Sequence, residues 1–278
     1  MTPNDPRNAT WLRHLVDTPH WPPELDVDAL GVALLENLKS PEAVLRDELS
    51  YTLLARAVES GRLSKDAVRA LLRTALDDHH LFRGVGAQGD VTVFGRTFSV
   101  LVVPLVLEDP VARTALTPSD VHAAHDAVVR YAYTEQDRRG YVEGHGWAHS
   151  PAHTADALGA LGLDPAVESP EPVLRALHHL ATLAHPLAFL EDDRIAWAVT
   201  RLVQAGRIPD ALFRQWLDRF QRAAEEVDVR VATLSGSNAE HVLRSLYFRL
   251  LELDRQHPWL EPVQQAARRF DLFYRPEG

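Results

Sequence analysis

The chain has 278 residues, 46% hydrophobic and 24% charged, with 18 Pro, 14 Gly and no Cys. That composition excludes a disordered chain, a collagen-like chain and a disulfide scaffold. The formal net charge of -10 lacks the footprint of a nonspecific nucleic-acid binder, so no nucleic-acid partner is expected. Met1 to Thr10 is polar and has no apolar h-region, and the longest apolar stretch, Val100 to Leu107, is too short to span a bilayer. The expected location is therefore the cytoplasm, with no membrane association.

Helical periodicity dominates from the first third onward. Leu45, Leu49, Leu53 and Ala57 with Val58 recur at three- and four-residue steps, as do Val68, Leu71, Leu72, Ala75 and Leu76. Helix starts are predicted where Ser or Thr precedes proline: Ser40-Pro41, Thr117-Pro118, Ser150-Pro151 and Ser169-Pro170. Proline fits the first turn because its missing N–H has no helical partner there. Gly61 and Gly206 mark helix ends. Val91 to Phe94 is the only strand candidate, and about twelve helices of two to four turns are expected.

Gly84-Val85-Gly86-Ala87-Gln88-Gly89 fits G-x-G-x-x-G. A dinucleotide site needs that motif between a strand and a helix. Here a helical stretch precedes it, so a glycine-rich connection is the better reading.

The chain repeats itself. Asp47 to Tyr51, Arg56, Val58 and Gly61-Arg62-Leu63 match Asp192 to Ala196, Arg201, Val203 and Gly206-Arg207-Ile208 without a gap, 145 residues apart. The expected fold is all-α, an α-α superhelix of HEAT-like helix pairs with an internal duplication. It would form one domain over 1–278, with two repeat-like halves, about 1–134 and 150–278, joined by a Gly/His-rich segment 135–149.

That junction is dense in chemistry. Between Glu135 and Asp156 stand three glycines at 140, 144 and 146, two aromatics, Tyr141 and Trp147, and three histidines, His145, His149 and His153. Such loops are usually functional. Three readings are open. A divalent metal could be held by His149, His153 and Asp156, with Glu191, Asp192 or Asp193 from a later helix completing the shell. With Ser150 as N-cap, however, His149 would precede the helix and His153 would stand at its third position. The bland alternative makes His153 part of a capping box and His149 a partner of a buried backbone group. An anion could be held by Arg138 and Arg139 with the helix N-terminus. Acid-base chemistry could use Glu135, Asp137, Glu143, His149 and His153. His149 and His153, facing a helix N-terminus, should have depressed pKa values. Trp197, Trp216, Tyr247 and Phe248 read as core.

The pattern Asp47 to Leu54, Val93 to Ser99, Glu135 to Leu158 and Glu191 to Val199 resembles an uncharacterised bacterial family, the domain of unknown function 2785. The resemblance runs from about Asp47 to Tyr247, and Gly146 to Asp156 is its most specific part. The family pattern more often has Lys where this chain has His145, which sets His145 apart from the other two histidines. The resemblance implies no activity. It points to Trp147, His149, His153 and Asp156 as the site.

Two functions follow as expectations. The first is a binding or scaffold protein whose polar pocket at the junction, lined by Trp147, His149, His153, Asp156 and Arg139, receives a protein or a small anionic ligand. The second is a metal- or His-dependent hydrolase using the same pocket. In either case Trp147 is expected as a wall of the pocket, with Glu191, Asp192 or Asp193 opposite the histidines.

Overall fold

The computed structural model describes residues 5, 6, 8–223 and 229–270, without side-chain placement for 221–223 and 229–232. The chain is mostly helical. The first half holds α1 (Ala9–Asp17), α2 (Val27–Asn37), a π-helical stretch (Val44–Tyr51) that runs into α3 (Thr52–Glu59), α4 (Lys65–Ala75), α5 (Thr92–Val100) and α6 (Val102–Glu108). A 3-10 turn (Ala112–Ala115) leads into α7 (Pro118–Thr134). A two-stranded hairpin follows, β1 (Tyr141–Val142) and β2 (Gly146–Trp147). The second half holds α8 (Ser150–Leu163), α9 (Glu171–Ala181), α10 (Glu191–Gln204), α11 (Asp210–Ala223), α12 (Val229–Leu253) and α13 (Leu260–Arg268). No helix among the described residues is long and apolar enough to cross a membrane.

One hydrophobic cluster runs from Leu12 in α1 to Phe270 beyond α13. Its centre is α8, which packs on α5, α6, α7, α9 and α10. A helix surrounded in this way must be apolar all round, and α8 is buried from Ser150 to Ala155 and from Ala157 to Gly162. Small residues let α10 come close. A Cβ at Gly159 would stand 3.2 Å from the Cβ of Ala198, and one at Gly162 would stand 2.8 Å from Leu202 Cδ2.

Element boundaries recur at the spacing seen in the sequence. The ends of α3 and α10, Glu59 and Gln204, lie 145 residues apart. So do the starts of α4 and α11, Lys65 and Asp210, and the ends of α6 and α12, Glu108 and Leu253. Gly61 and Gly206 both have φ +64, the left-handed conformation that closes a helix on glycine.

Several local expectations change. Val91 to Phe94 is no strand; Thr92 opens α5, because four alternating residues cannot outweigh the helical run behind them. The strands form instead at Tyr141–Val142 and Gly146–Trp147, paired Tyr141 with Trp147 and Val142 with Gly146. Gly84, Gly86 and Gly89 all take positive φ in a connection between α4 and α5. Thr117 caps α7 as expected, with Asp120 closing a capping box. Ser150 does not cap α8. His149 stands at the cap with φ +58, and the Ser150 hydroxyl donates instead to the Asp137 carbonyl at 2.6 Å. Trp216 is core, but Trp197 is 39% and Phe248 60% exposed.

Candidate functional site

Two buried arginines hold the junction in place. Arg96 on α5 and Glu135 at the end of α7 are both fully buried. They pair twice, Nε to Oε2 at 2.5 Å and Nη2 to Oε1 at 3.0 Å. The Tyr131 hydroxyl donates to the same carboxylate at 2.9 Å. The remaining Arg96 donor, Nη1, reaches the carbonyls of Arg83 and Gly84 and the Thr92 hydroxyl. A buried ion pair is tolerated when its hydrogen-bonding capacity is met in this way. Asp137 then accepts from Arg139 and from the Gly89 N–H.

Arg46, in the π-helical stretch, holds the hairpin. It is fully buried and lies over the rings of Phe94 and Phe98, at 4.3 and 4.9 Å. Its Nη2 donates to the carbonyl of His145 at 2.6 Å, and its Nη1 to that of Ser40 at 2.9 Å. Burial brings its pKa down to about 10, which leaves it charged at neutral pH. A π-helical turn inside a helix often marks a functional region.

The hairpin delivers His149 to the start of α8. Its ring stacks on Trp147, with centroids 4.8 Å apart, and meets the His153 ring edge-on at 5.6 Å. Its Nε2 lies 3.1 Å from the Phe189 carbonyl and 3.4 Å from Glu191 Oε1. A carbonyl only accepts, so Nε2 carries the proton and Nδ1 holds the lone pair. Glu191 is 1% exposed, and its Oε2 accepts from the Phe189 N–H at 2.7 Å. Burial lowers the His149 pKa, against the opposing charge of Glu191.

His153 is one turn further in. Its Nδ1 donates to the Thr97 carbonyl at 3.0 Å, and its ring meets Phe98 edge-on. Burial, with the nearby His149 second, pushes its pKa down to about 3. The expected depression of both histidines is present, and desolvation rather than the helix dipole is its first cause. His153 takes no part in a capping box, while His149 does contact a backbone carbonyl.

The backbone is strained here. His149 and Leu190 are the only non-glycine residues with positive φ among the described residues, +58 and +64. Each immediately precedes a helix, α8 or α10, and the two loops touch through the bond from His149 to Phe189. Such outliers persist where surrounding structure enforces them, and they cluster at functional sites.

The expected metal set comes together only in part: Glu191 stands beside His149, but the aspartates do not join it. Asp156 is bound by Arg194 in a two-point pair, and Asp193 by Arg249. Asp192 receives only the Ser245 hydroxyl at 3.5 Å. No group of three or more His, Asp or Glu among the described residues is placed to hold a metal ion. Glu191, rather than Asp192 or Asp193, is the carboxylate beside His149. The Arg139 carbonyl accepts from the His149 N–H at 2.8 Å, but its guanidinium is paired with Asp137 and donates to the Asp90 carbonyl. His145 turns away, its Nδ1 on the Pro41 carbonyl and its ring beside Phe94.

Asp156 instead lines a groove of about 700 Å³ between α3, α6, α8 and α10. Its walls carry Glu59, Glu108, Asp109 and Asp156 against Arg194 and Arg201, with Tyr51, Trp197, Pro104 and Leu105 as apolar surface. Arg201 donates to Glu108 at 2.6 Å. The groove is net acidic and does not suit the small anion expected at the junction. A ladder of rings joins it to the hairpin: Tyr51 to Phe98 at 5.8 Å, Phe98 to His153 at 5.3 Å, then His149 and Trp147.

Sequence reasoning missed Phe189, Leu190, Arg194 and Tyr51. The repeat register and the family pattern pointed near them, since Tyr51 and Arg194 lie in the matched segments of both. No curated protein and no solved structure matches the chain. The family described as protein of unknown function (DUF2785) matches residues 81–248, more than half of the chain, and the chain belongs to that family.

Proposed function

We propose that this is a binding protein, built as one domain over 1–278 from two duplicated halves of HEAT-like helix pairs in an α-α superhelix. The recurrence of helix ends and starts at a 145-residue spacing supports that reading of the scaffold. Its recognition surface is the groove beside the junction. The observation that carries this is the 700 Å³ groove with an exposed Trp197, four carboxylates and two arginines on its walls. Both arginines are already paired with carboxylates. The occupant that fits is a protein segment bearing Arg or Lys with an apolar or aromatic neighbour, because Trp and Tyr faces attract cations. Selection from a random peptide library tests it. Basic sequences should be enriched, and lost on a Trp197→Ala, Glu59→Gln variant. Enrichment of acidic sequences, or of none, would sink this reading.

A hydrolase is the second reading, favoured by one geometry. His149 presents its protonated Nε2 towards the buried Glu191 carboxylate, which leaves Nδ1 as a base, the arrangement of a carboxylate-oriented general base. Depression of its pKa keeps that nitrogen unprotonated at neutral pH. The chemistry would be His-dependent, since two of the carboxylates expected as metal ligands, Asp156 and Asp193, are engaged by arginines. A panel of ester and amide substrates tests it. Turnover should vanish in His149→Ala and fall, with a shifted pH profile, in Glu191→Gln. Equal turnover in all three proteins would end it.

A further inference from the structure

A second cavity, of about 450 Å³, shares no residue with the groove or with the His149 cluster. Gln136 to Arg139 form one wall, Gln88 and Gly89 a second, and His179 with Leu183 to His185 the rest. Its electrostatics run against the chain as a whole. Two arginines face one aspartate, in a protein of net charge -10. That aspartate is already engaged: Asp137 accepts from Arg139 and from the Gly89 N–H.

Arg138 is different. It is only 8% exposed, and its one hydrogen bond is from Nη2 to the Ala132 carbonyl at 3.3 Å. Its Nη1 is buried with no partner among the described residues. The neighbouring carboxylates are committed elsewhere, Glu135 to Arg96 and Asp137 to Arg139. A buried guanidinium without an ion pair is costly and calls for a counter-charge. His179 shares the cavity and also leaves a buried nitrogen, Nε2, without a partner. Burial, and then the charge of Arg138, bring its pKa down to about 4. It is therefore neutral at pH 7 and can offer Nε2–H as a donor.

We propose that this cavity binds the carboxylate of a small organic acid, with Arg138 and His179 as its donors and Gln88 and Gln136 at hand for the rest of the molecule. Two arginines against one aspartate, with His179 neutral, give the wall one net positive charge, which a monoanion cancels. A phosphate dianion would leave an excess negative charge beside Asp137. A volume of about 450 Å³ is in the range of small-molecule sites.

The test uses the full chain with ¹⁵N-labelled histidine at pH 7. Sodium acetate and inorganic phosphate are titrated separately at matched ionic strength, and the imidazole resonances are followed by NMR. Acetate should move the His179 signals saturably and leave those of His153 in place. The affinity should fall at least tenfold in Ala184→Glu, which sets a competing carboxylate on an exposed wall residue. It should also fall in Arg138→Met, and persist in His149→Ala. If Arg138→Met does not fold, Ala184→Glu alone decides. No saturable shift with acetate, saturation by phosphate alone, or undiminished binding in the folded variants would overturn the assignment.

Discussion

His153 is the residue whose protonation governs stability most directly. Folded, it stays neutral down to about pH 3 because it is buried, and the half-buried His178 and His179 do so down to about pH 4 through partial desolvation. Unfolded, all three take up protons near pH 6.5. The unfolded state then binds more protons, so their stabilisation is complete above about pH 6.5 and is lost as pH falls towards the folded values. Each of the three should weaken folding by up to about 1.4 kcal/mol per pH unit in that window. Urea unfolding at pH 7.5, 6 and 5 checks it, and His153→Gln should flatten the dependence. At Leu190 the sign is opposite. It is 72% exposed and holds φ +64, so Leu190→Gly should stabilise the protein by up to about 1 kcal/mol. A loss on denaturant unfolding would show that its side chain has a packing role.

At the scale of elements, the fit of α8 against α10 depends on glycine. Val at Gly162 would press on Leu202 and on Val173, which a Cβ there already meets at 3.3 Å. Gly162→Val should cost about 1–3 kcal/mol, and Leu202→Ala in the same chain should recover part of it, measured as a double-mutant cycle. Which elements could be read from sequence follows the range of the forces that make them. The Thr117–Asp120 box and the glycine ends at 61 and 206 are set by residues within one turn, and they were legible. The hairpin was not, because its tip is held by Arg46, about a hundred residues earlier in the chain. The cap of α8 was misread for the same reason: Ser150 is drawn off to the Asp137 carbonyl, and His149 takes its place.

Across the whole molecule, the helical class and the 145-residue register were visible in the sequence, since periodicity and repetition survive without knowledge of contacts. The cluster of Trp147, His149 and His153 was visible too, because one short segment builds it. The metal set failed where distant arginines intervened, Arg194 on Asp156 and Arg249 on Asp193. Spacing along a helix says nothing about which cation lies across the interface. The second half also differs from the first at the site. Asn8, 145 residues before His153, simply caps α1, while Asn4, the counterpart of His149, lies outside the described residues. Where Asn8 caps α1, His153 instead meets the His149 ring edge-on.

The groove beside this pair is proposed to recognise a basic segment, and its tryptophan reports on that directly. The chain has six tryptophans, and of these Trp197 alone lines the groove. An NMR titration with a synthetic Arg/Lys decapeptide should shift the Trp197 indole N–H saturably and leave that of Trp216, buried in the core, unmoved. A Glu/Asp decapeptide should shift neither. A stationary Trp197 resonance, or an equal response to the acidic peptide, would contradict the claim.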